Sequence, residues 1–467
     1  MKRTVIVLLC LASIRAHAQQ DLGVLNSNYA GIQGSLLNPS SIAGSKLDWD
    51  INLFSAQVNF ANTFLYAPKS SIPILGIKHI IKGSIDENLF LTKYDPSNPN
   101  KLYQVSLQAE FLGPSFFIKI HKKHEIGLTT AIRAVGNIRN ITGNAGENAF
   151  DYLLSGSLWN TNFQEQSARV NAMGWGEYGL HYATVLYGKG ADELKVGVTL
   201  KYLQGMFASY VKNTNLNYRI ADTTGIVFTN SSVDYGRTDF DDFRHRSFSN
   251  FDHGHGLGAD IGLTFVHRDN PGDDNYRYRI GLSLLDVGKI NYTRNSGSYH
   301  LAAATAEFNN WHQTQFSGNA QLDQTLSAVF YNGDSSRSQT GNSFHMALPT
   351  ALSAQVDWAI KGPWFANLTI VKGLGHGNNV GVVQPDLYAI TPRYETKWLE
   401  VSLPLSLMYY GHWQPRAGLA VRAGYFFIGG DAPGALFKVN NLSQVNFYAG
   451  IHYFVPAKSR QTPLMTK

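Results

Sequence analysis

Residues 256–292 alternate apolar and polar residues in two consecutive runs, and this pattern constrains the fold more than any other part of the chain. The apolar residues are Leu257, Ala259, Ile261, Leu263 and Phe265 in the first run and Tyr276, Tyr278, Ile280, Leu282 and Leu284 in the second. A polar turn containing Asn270-Pro271-Gly272-Asp273 separates the two runs. Because a period of two residues is that of a strand with one apolar and one polar face, the segment is predicted to form an antiparallel hairpin.

The polar face of this hairpin carries Asp260, Arg277 and Arg279. The dry core of a soluble protein tolerates such residues poorly, since burying an unpaired charge is costly. In membrane β-barrels, by contrast, apolar residues face the lipid and polar residues face the lumen. The chain is therefore predicted to be all-β, a transmembrane antiparallel β-barrel whose charged strand faces point inward.

The first eighteen residues have the features of a secretory signal peptide. Lys2 and Arg3 precede an apolar run, and Ala16-His17-Ala18 matches a small-x-small site, which predicts cleavage after Ala18. The only cysteine, Cys10, lies in this signal, so the exported chain has no thiol for a disulfide, a metal site or a nucleophile. We expect the mature protein in the cell outer membrane.

The composition argues against two other classes of protein. Removing Lys2, Arg3 and Arg15 from the 39 basic residues leaves 36 against 33 acidic residues, a formal charge of +3, so nucleic-acid binding is not expected. No later stretch approaches ~18 consecutive apolar residues, so helical membrane spans are not expected either. The 44 Gly, 24 Tyr and 26 Phe, with only 15% charged residues, favour an outer-membrane barrel.

The chain divides into a signal peptide at 1–18, an N-terminal plug or latch at 19–46, the barrel at 47–456 and a C-terminal tail at 457–467. An unstructured leader is the alternative for the plug. We count 13 strands, but a barrel with both termini in the periplasm needs an even number, so we expect about 14, with the missing strand at Phe54 or within 298–306. Short turns, which are expected on the periplasmic side, alternate with long loops at 135–173, 212–255 and 293–346. Two of these loops are expected to contain short helices, near 147–154 and 320–330.

Several strand and turn phrases are distinctive: LYAITPR at 387–393, WLEVSLPL at 398–405, Gly429-Gly430-Asp431, residues 256–263 and 285–290, and Leu37-Asn38-Pro39. Together they resemble a family of Bacteroidota outer-membrane proteins of unknown function. More distantly, Asn38-Pro39 with Leu348-Pro349-Thr350 resembles FadL-like barrels, including the PorV-like and PorP/SprF-like proteins of the type IX secretion and gliding apparatus. The resemblance implies a barrel of about 14 strands with an N-terminal plug. It transfers no substrate, because the hydrophobic-ligand residues of FadL have no counterpart here.

Motifs for metal binding or catalysis are weak. Asp252-His253-Gly254-His255 places two imidazoles two residues apart, but a structural zinc site needs about four ligands, so a polar loop is the simpler interpretation. Asp269, Asp273 and Asp274 lack the spacing of a calcium loop. The glycine-rich stretches at 254–258 and 373–377 do not open a helix, as a phosphate loop must, and no Gly-x-Ser-x-Gly elbow occurs. We therefore expect no catalytic residue, no metal and no cofactor, and a protein that is not an enzyme.

Two sets of residues are the better site candidates. The alternation directs a set of charges of both signs into the lumen: Glu110, Glu125, Arg133, Glu177, Lys195, Lys201, Asp260, Arg277, Arg279, Asp357, Glu400 and Arg422. Mixed signs favour ion pairs that hold a plug or block the lumen over a solute path, since a selective pore more often carries one sign. An aromatic girdle at the lipid interface is predicted from the tryptophans near strand ends: Trp49, Trp358, Trp364, Trp398 and Trp413.

These observations lead to two main hypotheses for the function. The first is a non-enzymatic structural or interaction component, associated with type IX secretion or gliding machinery. The second is a FadL-like transporter or porin for a hydrophobic or small solute. The expected partners are outer-membrane lipid and other envelope proteins. An intact barrel wall with a filled lumen would favour the first hypothesis, and a lateral gap above an apolar pocket would favour the second.

Overall fold

A computed structural model describes residues 21–457, except 71–89, 122, 151–155, 223–224, 240–250, 272–274, 312–313, 315, 376, 378–379, 433 and 435–440. The predicted signal peptide, its cleavage site and residues 458–467 of the predicted tail lie outside the described residues.

Strands account for most of the described chain. In order they are β1 (Leu47–Asn62), β2 (Leu65–Tyr66), β3 (Leu91–Thr92), β4 (Leu102–Leu112), β5 (Ser115–His121), β6 (His124–Thr142), β7 (Asn162–Glu165), β8 (Arg169–Lys189), β9 (Asp192–Ile220), β10 (Gly225–Thr238), β11 (Gly254–His267), β12 (Tyr278–Tyr292), β13 (Ser296–Asn309), β14 (Gln339–Gly341), β15 (Phe344–Ala347), β16 (Ala351–Lys361), β17 (Trp364–Gly373), β18 (Asp386–Glu395), β19 (Leu399–Ser402), β20 (Leu405–Tyr410), β21 (His412–Ala417), β22 (Leu419–Ala423), β23 (Phe426–Gly430) and β24 (Gln444–Pro456). The α-helices are α1 (Gly143–Phe150) and α2 (Asn319–Phe330), and short 3-10 helices span Gly31–Leu36, Pro39–Ile42 and Gly156–Leu158.

The wall is a closed antiparallel barrel of 14 strands, as the sequence predicted. β1 closes it by pairing with β24 on one side and with β4 and β5 on the other. Pairs such as β4/β5, β15/β16 and β19/β20 each form one wall strand interrupted at a proline, namely Pro114, Pro349 and Pro404. Proline lacks the N–H that a sheet ladder requires, so the ladder stops there and resumes beyond it.

The exterior of the wall is apolar, which confirms the orientation predicted from the hairpin at 256–292. Leu257 is 73% exposed and Ile261 50%, whereas Asp260 is only 3% exposed. Outward leucine, isoleucine, phenylalanine and tyrosine side chains recur on wall strands all round the barrel. An apolar outside around a charged inside is the arrangement of a transmembrane β-barrel. Among the described residues, no helix combines the length and the hydropathy that a membrane span requires.

The strand missing from the sequence count was assigned to the wrong place. Phe54 marks a bulge within β1, and residues 298–306 belong to β13, which pairs with β10 and β14. The extra wall strand arises because the run expected as one strand at 417–427 is two strands, β22 and β23, which pair with each other. Gly424, at φ +62°, forms the tight turn between them, and apolar residues on both sides leave no polar loop for sequence patterns to detect.

Part of the chain predicted as long loops extends the sheet beyond the wall. β9 continues to Ile220 and pairs with β7 and β10 there, and β10 pairs in turn with β13. Helix α2 packs on this extension, and Asp323 accepts a hydrogen bond from the Tyr235 hydroxyl at 3.0 Å. Helix α1 begins and ends four residues earlier than the helix expected at 147–154, although 151–155 are not described. We call β10, β13, β14, α2 and residues 206–220 of β9 the extension sheet.

Candidate functional site in the barrel lumen

Residues 21–46 lie inside the barrel, on the side of the short turns. Asn38 donates to the carbonyl of Leu263 at 3.2 Å and to Gln355 Oε1 at 3.1 Å, and Ser27 donates to Glu400 at 2.6 Å. Because these partners come from β11, β16 and β19, on different sides of the wall, the segment must lie within it. We call residues 21–46 the N-terminal segment.

Acidic side chains of the barrel accept the backbone amides of this segment. The N–H groups of Leu22, Asn28, Ile32 and Gly44 donate to Asp431 (3.4 Å), Glu395 (3.1 Å), Asp50 (2.8 Å) and Glu125 (3.0 Å), respectively. Carboxylate acceptors make stronger hydrogen bonds than neutral ones, particularly where water is excluded. The segment is therefore held through its main chain at four points along its length.

A group of six buried ionisable residues lies next to the segment, toward the long loops. Its members come from six wall strands and are Glu110, Arg133, Glu177, Lys201, Asp260 and Asp286. Arg133 contacts Glu110, Glu177 and Asp286 at 3.3, 3.0 and 2.8 Å, and Lys201 contacts Glu177, Asp260 and Asp286 at 3.3, 2.8 and 2.7 Å. We call this group the Arg133–Lys201 network. It joins six consecutive neighbouring strands of the wall, from β4 to β12, at one level of the lumen.

Asp286 belongs to this network because of a bulge that the alternation did not predict. Its backbone has φ +53°, and the register between β11 and β12 shifts between Ala259 and Ile261. The amide of Asp286 donates to Asp260 Oδ1 at 2.7 Å, which stabilises the bulge. The available signal was the break in alternation at Leu284-Leu285, where two apolar residues are adjacent.

A second network is centred on Arg393. Its guanidinium binds Asp357 through two hydrogen bonds of 2.7 and 2.9 Å, and Nε donates to Glu395 at 2.9 Å. Arg279 lies 3.0 Å from the same Asp357, and the Tyr276 hydroxyl also donates to it. We call this group the Arg393 network. Sequence reasoning found Arg279 and Asp357 but not Arg393 or Glu395, although both alternate inward along β18 with Leu387, Ala389 and Thr391.

Glu400 and Arg422 also face the lumen and contact each other at 3.2 Å. Arg422 stacks on the ring of Tyr29 in the N-terminal segment, with 5.0 Å between the guanidinium carbon and the ring centre. Lys195 is buried as well, and its Nζ lies 3.5 Å from the carbonyl of Gly44. All three side chains therefore contact the N-terminal segment or its immediate partners.

Arg277, in contrast, does not face the lumen as predicted. It is exposed, because it precedes the first residue of β12 and lies in the turn, where strand alternation no longer sets the direction of the side chain. Tyr276, expected on the lipid side, is buried for the same reason and contacts Asp357 instead.

The predicted girdle tryptophans lie at strand ends. Trp358, Trp364 and Trp398 are about half exposed beside short turns, and Trp49, near the start of β1, contacts Tyr453 with ring centres 5.4 Å apart. Trp413 is exposed at the opposite end, beside the Gly411 turn. An interfacial girdle remains a proposal for these residues.

Two carboxyl groups lie together where the N-terminal segment begins. Burial raises the pKa of Asp21 well above its usual range, and the nearby Asp431 raises it further. Asp431, which follows the last residue of β23, has a pKa raised to about 7 by burial, although the Tyr448 hydroxyl donates to it at 3.0 Å. Two acids so close in a dry environment favour holding protons over carrying two charges.

An apolar cluster and an inward chain segment fill the lumen on the long-loop side of the Arg133–Lys201 network. The cluster includes Trp175, Leu203, Tyr292 and Met346 together with Val382. The backbone N–H of Val383 donates to Asn137 at 2.7 Å, and Gln108 donates to Gln384 at 2.7 Å. Residues 380–384 therefore cross the lumen from β15 to β4 and β6. The described lumen is occupied at three successive levels.

The Asp252–His255 motif is engaged in local contacts. His255 lies 3.2 Å from Asp252 and accepts or donates a 2.8 Å hydrogen bond with Tyr202, while His253 contacts the carbonyl of Arg294 at 3.0 Å. Among the residues that the structure describes, no three acidic, histidine or cysteine side chains are placed to hold a metal ion.

The closed wall and the apolar exterior define the class as a transmembrane β-barrel protein. Within that class, the chain belongs to DUF5723, a family of unknown function, which matches residues 39–431. No curated protein matches the chain.

Solved structures that are similar to this chain include several barrels. The TodX monoaromatic hydrocarbon channel has 7% sequence identity, and the alignment covers 92% of this chain and 95% of that chain with a TM-score of 0.44. The CymD monoaromatic hydrocarbon channel has 11% identity, with 96% of this chain and 99% of that chain covered and a TM-score of 0.39. A Pseudomonas aeruginosa FadL homologue has 8% identity, with 90% of this chain and 93% of that chain covered and a TM-score of 0.30. With identities of 7–11% and TM-scores below 0.5, these similarities carry no information about what this chain binds.

Proposed function

We propose that the protein is a non-enzymatic component of the outer membrane that works by interacting with other envelope proteins rather than by passing a solute. The observation that carries this proposal is the filling of the lumen at three levels: the N-terminal segment, the Arg133–Lys201 network, and residues 380–384 with their apolar cluster. Solute flow through these levels would separate buried ion pairs, and a buried charge left without its partner costs about 3–5 kcal/mol.

The surface that best suits a partner is the extension sheet. It projects beyond the wall at the long-loop end, and it is a packed structure with Tyr235 and Tyr299 stacked 4.7 Å apart and Arg237 paired with Asp323. Packing and ion pairs preorganise a surface, which lowers the entropic cost of binding. The sequence resemblance supports type IX secretion or gliding machinery in Bacteroidota as the partner assembly.

One feature favours transport as a second candidate function. A small apolar cavity of about 40 Å³ lies between the N-terminal segment and the wall, lined by Leu22, Leu37 and Leu285. It adjoins the Asp286 bulge and the Pro349 interruption, where the Thr350 hydroxyl donates to the Asp286 carbonyl at 2.7 Å in place of a backbone donor. A small apolar solute would enter the wall most easily at this point.

Copurification from native membranes, combined with solute uptake, distinguishes the two functions. We expect the cross-linked, tagged protein to retain envelope partners, and liposomes containing it to take up a small aromatic hydrocarbon no faster than empty liposomes. For transport, Ala351→Phe would fill the apolar cavity, whereas Leu352→Phe on the lipid side is the matched control. Uptake that Ala351→Phe abolishes and Leu352→Phe preserves, with no partner retained, would refute the interaction proposal.

A further inference from the structure

A polar cavity lies between the N-terminal segment and the wall at the short-turn end. Its volume is about 90 Å³, several times the roughly 10–15 Å³ that one water molecule requires by this measure. Its wall residues include Lys195 and Asn367, near the starts of β9 and β17, and Thr264, near the end of β11. The cavity is therefore reached from the side of the short turns.

The charged residues that line this cavity all have the same sign. They are Lys46, Lys195, Arg268 and Arg279, and none of the described lining residues is acidic. Each of the four has a partner in the protein. Arg268 pairs with Glu193 and Arg279 with Asp357, both at 3.0 Å, whereas Lys46 donates to Asn275 at 2.6 Å and Lys195 to the carbonyl of Gly44 at 3.5 Å. Four cations around a small space raise its affinity for an anion.

Two buried donors in the lining have no acceptor among the residues that the structure describes. Arg268 is 7% exposed and Asn367 1%, yet Arg268 Nε and Asn367 Nδ2 make no hydrogen bond. Leaving a buried donor unpaired is unfavourable, and more so for a charged group. The oxygen of Asn367 is already occupied, because it accepts from Thr369 at 2.6 Å. A third lining atom, Ser41 Oγ, also makes no hydrogen bond to a described residue, and it can donate or accept. Two of the three atoms can only donate, which together with the four cations favours an anion that offers acceptor oxygens.

We propose that this cavity binds one phosphate group, and we call it the phosphate cavity. Phosphate offers several strong acceptor oxygens and close to two negative charges at neutral pH, whereas a carboxylate offers two oxygens and one charge. An arginine and several lysine or arginine neighbours are the groups that proteins use to recognise phosphate. The volume fits the group itself, either as free phosphate or as the head of a small phosphate ester. This site is independent of the interaction role proposed above.

A bound phosphate would also link the N-terminal segment to the wall. Lys46 belongs to the segment, whereas Arg268 and Asn367 belong to the wall, so one ligand would contact both. Any ligand that binds the folded state alone raises its stability, and the gain grows with the logarithm of ligand concentration over Kd. We therefore expect phosphate to raise the thermal midpoint and to slow proteolysis of the segment.

Calorimetry on the full-length, detergent-purified barrel tests the proposal with inorganic phosphate. We expect saturable binding at one site per chain, weakened at least about 10-fold, or about 1.4 kcal/mol, in Arg268→Gln and in the nearly isosteric Asn367→Asp, which places a negative charge in the cavity. Arg294→Gln, an exposed arginine paired with Asp252 outside the cavity, is the control and should bind as the wild type does. The mobility of unheated barrel on gels verifies that each variant is folded.

Two further titrations define the ligand. Acetate should bind at least about 10-fold more weakly than phosphate, since it has one charge fewer. Glycerol phosphate binding more tightly than phosphate would identify a phosphate ester as the source, and weaker binding would identify the free anion. The proposal is overturned by the absence of saturable phosphate binding, by acetate binding as tightly as phosphate, or by unchanged binding in folded Asn367→Asp.

Discussion

Replacing Arg393 by methionine tests whether the lumen networks hold the barrel together. The Arg393 side chain is only 1% exposed, binds Asp357 twice and Glu395 once, and lies 4.9 Å from the ring centre of Phe365. Methionine preserves much of the packing volume and removes the charge. Two carboxylates then remain in a site that excludes water.

The expected cost follows from what each carboxylate retains. Asp357 keeps Arg279 at 3.0 Å and the Tyr276 hydroxyl, whereas Glu395 keeps its hydrogen bonds from Asn28. Removing one partner of a buried pair costs about 3–5 kcal/mol, because the other charge is left without compensation. Since Asp357 is partly compensated, we expect about 3–4 kcal/mol, which lowers the folding equilibrium constant by more than about 100-fold.

Equilibrium unfolding in urea, followed by tryptophan fluorescence in lipid vesicles, measures this loss. The triple variant Arg393→Met, Asp357→Asn, Glu395→Gln removes both stranded carboxylates. It also removes the acidic partner of Arg279, but that side chain is 23% exposed and keeps a hydrogen bond to Asn28, so the triple variant should recover at least half of the loss. Arg294→Met, at an arginine whose side chain is 61% exposed, should cost less than about 1 kcal/mol. A single-variant loss below about 1 kcal/mol, or a triple variant no more stable than the single one, would refute the reasoning.

Three other variants test separate parts of the molecule. In Gly197→Ala, the new Cβ would lie 2.3 Å from the Pro39 carbonyl carbon and would displace the N-terminal segment, so limited proteolysis should release the segment faster than in the wild type. In the control Gly176→Ala, the nearest atom to the new Cβ lies 3.9 Å away, so the rate of proteolysis should not change. Asp431→Asn removes a carboxyl group whose pKa is about 7 in the folded state and 3.8 in the free group. The folded state therefore holds the proton more tightly than the unfolded state, so the stability that this carboxyl contributes is greatest at acid pH and declines as the pH rises from about 4 to about 7. The unfolding free energy of the variant minus that of the wild type should therefore increase over that range, and a constant difference would contradict the assignment. Asp323→Ala removes the hydrogen-bond and ion-pair partner of Tyr235 and Arg237, so amide hydrogen exchange in α2 should accelerate while exchange in the wall strands stays slow. In the control Asp334→Ala, in the exposed loop after α2, exchange should be unchanged both in α2 and in the wall strands.

The sequence predicted the wall well because alternation is a local property. Leu257 and Asp260 face opposite sides of the wall because they lie an odd number of positions apart along one strand. The contrast between lipid outside the barrel and the polar lumen makes the alternation of apolar and polar residues easy to detect. The prediction failed where that contrast is absent. The extension sheet has no lipid-facing side, so β10 and β13 look like polar loops, and the Gly424 turn has apolar residues on both sides.

The lumen was less predictable, because its contacts join residues far apart in the chain. Alternation placed Glu110, Glu177, Lys201 and Asp260 inside, but it could not reveal that they meet, since their strands span four separate parts of the chain. Arg277 and Tyr276 were assigned to the wrong sides, because the alternation was extended beyond the first residue of β12. Asp286 was missed, because a bulge shifts parity by one residue.

The way in which the barrel holds its N-terminal segment has a consequence for both proposals. Four acidic groups bind backbone amides of the segment, and side chains such as Asn38 and Ser27 bind the wall as well, while other residues of the segment line the phosphate cavity. The cations that line this cavity come from both partners, with Lys46 on the segment and Arg268 on the wall. The acidic and basic contacts thus act at different places: carboxylates fix the segment in the lumen, and a bound anion would secure it where the cavity opens. If the interaction proposal is correct, the filled lumen contributes stability, and a protein partner would bind at the loops or the extension sheet.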